Sequence, residues 1–344
     1  MNQPVISETS TRAQSELAVL DGLRGVAAFA VVLMHASTHA PHAYLAVDLF
    51  FVLSGFVLEH AYGSRLGAGW SPGAFLLKRV RRLYPLYVLG LAISVLAVGA
   101  ALVLHRGAGW TPASLAASAL TGAVMAPLWS GGDTPLYPLN FPAWTLLAEL
   151  IANAVFALVY RRLSPRLLMV WCAISAALLA WLVLGYGGIN AGATWPTLGI
   201  GMARVAFAFP LGVLLKRLTR GALPSSLALP ILAAACGLLY APLAGGGVYD
   251  LVAALLVWPL LIAAGARCRI QGPLRAVCVE LGAASYGVYV TAAPVYILVH
   301  AVLKTRGLSG DTLPLPLALA FCAGLFGAAF AARRILGWTP AGLG

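Results

Sequence analysis

Residues 20–36 read LDGLRGVAAFAVVLMHA, an apolar stretch of membrane-crossing character that carries Arg24 and His35. Ten residues lie between the two. On an α-helix, at ~1.5 Å rise and ~3.6 residues per turn, eleven steps cover about 16.5 Å and almost three whole turns. Both polar groups therefore face the same way, Arg24 near one membrane surface and His35 most of the way to the other. An ionisable group inside a span costs roughly 2.5–3.5 kcal/mol on insertion scales, so such groups mark function by default. Two on one stripe imply a polar path through the membrane.

The rest of the chain repeats the apolar theme. Of 344 residues, 61% are apolar and 9% charged, with a mean hydropathy of +0.91, against roughly 25% charged in a soluble domain. These values and repeated runs near ~20 residues indicate an all-α, polytopic transmembrane bundle. Spans are expected near 17–40, 43–60, 84–104, 142–160, 167–186, 199–215, 224–243, 248–265, 276–300 and 314–332. Residues 1–16 form a polar tail, and Asp21 with Arg24 interrupts any signal-peptide core, so the first span is retained. The five cysteines are scattered through apolar segments without a CxxC, as small core residues are.

A net charge of +12 would suggest nucleic acid in a soluble protein. Its distribution gives another answer. With ten spans, 17 of the 22 Lys and Arg residues fall on one side and three (Arg106, Lys304, Arg306) on the other, Arg24 and Arg204 lying inside spans. That asymmetry places both termini in the cytoplasm, and the basic excess reads as topology and attraction to anionic membrane lipid. Residues 112–128, PASLAASALTGAVMAPL, could pass for another span, but counting them would invert every later loop. They are expected as an interfacial or re-entrant helix in a long external loop, 105–141. No repeat, linker or soluble domain is evident, so residues 1–344 read as one membrane domain.

The polar residues within spans are the candidate site. Asp48 follows the turn at Pro41-His42 about as closely as His35 precedes it, so a helical hairpin would bring the two to one depth. A carboxylate beside an imidazole would favour its charged form and hold its tautomer, as a general base requires; Asp48 could instead cap its helix or face the headgroups. Glu149 lies roughly 10 Å into the fourth span, as a partner for His35, as a second base, or as the counter-charge of Arg204. On the cytoplasmic side, Lys78 and Arg81 read as topology determinants. Arg79 and Arg82, three apart on one helix face, could form a fork for phosphate oxygens, with Arg24 near the same surface.

In order along the chain, LDGLRG…H, VDLFFVLSGF, KRVRRLYPLY, WTLLAE and SYGVYV closely resemble the motifs of acyltransferase family 3, integral membrane acyltransferases. The resemblance implies transfer of an acyl group, often acetyl, from cytoplasmic acyl-CoA to a hydroxyl, commonly on an exported glycan. The family's Arg-x10-His pair falls on Arg24 and His35, its Arg-x-x-Arg on Arg79 and Arg82, and its WSLxxE tryptophan and glutamate on Trp144 and Glu149. Two departures stand out: Ala292 replaces the histidine of SYxxYLxH, and LIAN follows Glu149 where many members read QFY. Only about a dozen residues follow the last span, so no appended hydrolase-like domain is expected.

The expected catalytic residues are thus His35, Asp48 and Glu149, with Arg24, Arg79 and Arg82 on the coenzyme A phosphates. Ser54, Trp144, Arg204 and Tyr286 are expected to bind substrate. Acyl-CoA is a co-substrate and no cofactor is permanently bound. The partners are membrane lipid and a glycan or lipid-linked sugar, without nucleic acid, and the location is the bacterial inner membrane. His35 would act as general base, or as the nucleophile of an acyl-histidine relay. A proton-coupled transporter is the rival, but the halves show no inverted repeat. His39 and His42 fall at the external turn, and no metal is assigned to them with His35.

Overall fold

The computed structural model describes residues 17–105, 109–129, 131–243, 245–306 and 312–336. Arg12 and Arg106, two of the charges counted for topology, lie outside them. Within them the chain is helical and has no strands. The helices are α1 (Ala18–Ala36), α2 (Ala46–Gly67), α3 (Pro72–Val103), α4 (Pro112–Ala123), α5 (Trp144–Val159), α6 (Pro165–Tyr186), α7 (Leu198–Leu218), α8 (Ala228–Tyr240), α9 (Gly247–Gly265), α10 (Gly272–Thr305) and α11 (Leu315–Leu336). Nine are long and apolar enough to cross a membrane among the described residues. Large apolar side chains such as Leu96, Trp181 and Leu260 stand exposed on the outside, as lipid-facing residues do.

Two boundaries differ from the sequence expectation. The expected span 224–243 is a shorter helical segment, Ser225–Tyr240, at ~1.5 Å per residue well under a ~30 Å hydrocarbon core. The segment before the expected span 84–104 is not a loop, because α3 starts at Pro72. Ser71 accepts a hydrogen bond from Ala74 N and Pro72 occupies the first turn. Lys and Arg are good helix formers, so the basic run continues the helix that hydropathy alone cuts short. α4, expected over 112–128 as an interfacial or re-entrant helix, ends at Ala123 and, with 12 residues spanning ~18 Å, is too short to cross, in line with that expectation. Tyr84 and Tyr87 donate hydrogen bonds to the Ala123 and Gly122 carbonyls, which ties α4 to α3.

The centre of the bundle is α1, which packs against α10, α8, α2 and α11, while α2 pairs with α7. The α2–α7 contact is a backbone approach between two glycines. A Cβ on Gly55 would lie 2.0 Å from the Phe209 carbonyl oxygen, and one on Gly212 2.0 Å from that of Val52. Small residues at a helix crossing allow this proximity in membranes. Gly55→Val or Gly212→Val is therefore expected to push the helices apart and destabilise the protein by about 1–3 kcal/mol. Thermal denaturation of the detergent-purified variants checks this, and wild-type stability in both would refute it.

Candidate active site

Polar residues from five helices meet at an open cleft. Arg24 comes from α1, Ser54 from α2, Arg79 and Arg82 from α3, Glu149 from α5, and Ser285, Tyr286 and Tyr289 from α10. The extended start of α3 brings its two arginines here. Because they are three apart, both reach the cleft on one face.

The charges at this end are arranged in pairs. Arg79 donates to Glu149 Oε1 at 2.7 Å, and Ser54 donates to the same oxygen at 2.9 Å. Arg24 lies 3.5 Å from Asp21, one turn back on α1. Arg82 is within electrostatic reach of Arg24, Arg79 and Glu149. Three guanidinium groups thus face two carboxylates, and the buried Arg79 Nε has no protein acceptor. The local balance favours an anion.

The lining also includes Val47, Phe50, Thr145 and Tyr289 among mostly apolar residues. Tyr289 and Thr145 hydroxyls hydrogen-bond at 2.9 Å, and the Tyr289 ring packs edge-on to Phe50. Phe141 lies one helical turn before Thr145, and its ring meets the His35 ring edge-on, centroids 4.6 Å apart. His35 is therefore not in the cleft lining. It packs against Phe141, half-buried, with no hydrogen-bond partner among the described residues.

The structure corrects the expected carboxylate pairings. Asp48 does not partner His35; it is fully buried and holds Arg204 through both oxygens, at 3.0 and 2.8 Å. Glu149 partners neither His35 nor Arg204, since Arg79 and Ser54 occupy it. Helix-to-helix packing decides both cases: α2 lies on α7, which carries Arg204, and α5 lies against α3, which carries Arg79.

Two expected substrate-binding residues also lie outside the cleft. Arg204 spends all five donors, on Asp48 and on the carbonyls of Ile189, Ala191 and Tyr44. Trp144 is buried against Gly192 and Gly201. The other two, Ser54 and Tyr286, line the cleft, and Tyr286 donates to the Leu83 carbonyl at 2.6 Å. His42 uses its ring nitrogens on Tyr44 Oη and the Leu243 carbonyl, and Tyr44 donates to buried Asp250. Among the described residues no three metal-binding side chains cluster.

Sequence reasoning missed Thr145, Tyr289 and Phe50. All three sit inside motifs already noted, and Tyr289 follows Tyr286 at helical spacing, which was the available signal. Asn153 was missed as well. It lies one turn beyond Glu149, fully buried, with neither side-chain amide atom hydrogen-bonded.

A family model described as an acyltransferase domain matches residues 17–334. The chain is also 41% identical over 177 residues to "Protein 2 in picA locus" of Rhizobium radiobacter, covering 47% of this chain and 91% of that protein. No solved structure matches it.

Proposed function

The chain belongs to acyltransferase family 3, as a multi-pass membrane enzyme of the O-acyltransferase type, and from that premise we propose that it moves an acetyl group from cytoplasmic acyl-CoA to a hydroxyl of an exported glycan or lipid-linked sugar. The proposed location is the bacterial inner membrane. One observation carries the reading: three arginines converge on one cleft, and the helix that supplies Arg24 carries His35 about 16.5 Å further along, against Phe141, one turn before the lining residue Thr145.

Coenzyme A suits that shape by its chemistry. Its phosphates are too polar for hydrocarbon and would rest against Arg24, Arg79 and Arg82, where a phosphate oxygen would also give Arg79 Nε an acceptor. The pantetheine arm would follow the apolar lining towards Phe50 and Tyr289. Beyond that end, where His35 meets Phe141, the imidazole takes the proton of the acceptor hydroxyl as it attacks the thioester carbonyl. The C–S bond then breaks, and coenzyme A leaves as the thiol. In the relay variant the His35 nitrogen attacks first and the acceptor hydroxyl takes the acyl group from it. Glu149 serves by positioning Arg79 and Ser54, and Asp48 by holding Arg204.

The test is release of free thiol from acetyl-CoA by protein reconstituted in liposomes, which a transporter would not catalyse. Mass spectrometry of surface glycans from a deletion strain would then identify the acceptor. Charged hydrogen bonds contribute about 1.5–3 kcal/mol, so Arg79→Gln with Arg82→Gln should raise the donor KM about tenfold or more. Added salt should weaken the wild type more than this double variant. Equal KM and equal salt sensitivity would return both arginines to a topological role.

A further inference from the structure

A second cavity, of about 190 Å³, opens on the lipid-facing side between α5, α6 and α7. It runs along α5 from Ile151 to Val159 and on to Leu163 in the turn that follows, and along α7 from Met202 to Val213, and all its lining residues are apolar. Pro210 in this wall has no N–H to give the Ala206 carbonyl one turn back. Trp171 of α6 donates its indole N–H to that oxygen instead, at 3.0 Å, so the proline leaves no carbonyl free in the groove. Water needs two to four polar partners to occupy a cavity, and this lining offers none. Hydrocarbon is the natural occupant.

The two ends of the groove differ. At one end, Arg162 precedes lining residue Leu163, Arg166 lies two before Leu168, and Lys216 lies one turn beyond Val213. None of these three cations has a carboxylate partner among the described residues, whereas neighbouring Arg217 is held by Glu59. From Ile151 to Leu163 the groove is about 18 Å long at ~1.5 Å per residue. That is close to one leaflet of a ~30 Å hydrocarbon core.

We propose that this groove seats one acyl chain of an anionic phospholipid, with the lipid phosphate held by Arg162, Arg166 and Lys216. An apolar tail one leaflet long with a negative head at one end fits both features. A second copy of this chain fits poorly. Of its ten acidic residues, Asp21, Asp48, Glu59, Glu149, Asp250 and Glu280 are already engaged internally. The site is separate from the arginine cleft and does not depend on what that cleft binds.

The test uses the intact protein in nanodiscs containing phosphatidylglycerol with a photoreactive group at the end of one chain. Crosslinks are expected to concentrate on peptides bearing Ile151, Val155 and Met202. Native mass spectrometry should show phosphatidylglycerol retained over phosphatidylethanolamine of the same chains. The triple variant Arg162→Gln, Arg166→Gln, Lys216→Gln should lower that preference about tenfold or more, and Ala152→Phe, filling the groove, should remove the crosslinks. Crosslinks spread evenly over the exposed faces of α6 and α11 would overturn the proposal. So would equal retention of the two lipids by the wild type, a measurement that needs no variant to fold.

Discussion

Replacing His35 with alanine is expected to lower acyl transfer by about 10²–10⁴-fold, the usual contribution of a positioned general base, while the protein still folds. The fold should tolerate the change, because the imidazole is half-buried, makes no hydrogen bond among the described residues, and meets Phe141 edge-on. Donor binding should be unchanged as well, since the arginines that would hold the phosphates begin about 16.5 Å away along α1. His35→Gln should be as inactive as alanine, because an amide fills the space but takes no proton at neutral pH. Transfer rates are measured on reconstituted protein, with acyl-CoA binding and thermal denaturation as controls. Activity within a few-fold of wild type in either variant would remove His35 from the chemistry, as base or as relay.

Asp48→Ala is expected to act in a different way, by costing stability. Asp48 and Arg204 are each 1% exposed, and removing one partner leaves the other charge stranded in the bundle, at about 3–5 kcal/mol. The loss extends beyond the ion pair, because Arg204 also gathers the carbonyls of Tyr44, Ile189 and Ala191. It thereby ties the α1–α2 turn to the segment before α7. Arg204→Met should be equally damaging. The double variant Asp48→Leu with Arg204→Met should be more stable than either single one, because an apolar pair strands no charge. Thermal denaturation in detergent gives the ranking. If Asp48→Asn kept wild-type stability and lost transfer, Asp48 would return to the catalytic centre.

Glu149 stands between these cases. Its carboxylate belongs to the cleft, but Arg79 and Ser54 share one of its oxygens. It shapes the arginine end of the cleft and does not touch His35.

The membrane class, the helical bundle and most of its spans follow from the linear order of residues, because burying a backbone in lipid demands some ~20 consecutive apolar residues whatever they later pack against. Helical spacing likewise sets Arg24 and His35 on one stripe and Arg79 and Arg82 on one face, since both members of each pair ride on a single helix. Position along a helix is also readable, and Asp48, Glu149 and Arg204 all lie on helices long and apolar enough to cross a membrane. Which of them meet is another matter. A charge at a given depth can face any neighbour around its helix axis, and that neighbour is chosen by packing between segments far apart in the chain. Gly55 and Gly212 let α2 close on α7, so Asp48 finds Arg204, 156 residues away, and not His35 on the adjoining helix. The early start of α3 likewise delivers Arg79 to Glu149. Depth is a property of one segment; azimuth and partner belong to the assembled bundle, because they depend on which helix surfaces fit closely enough to exclude lipid.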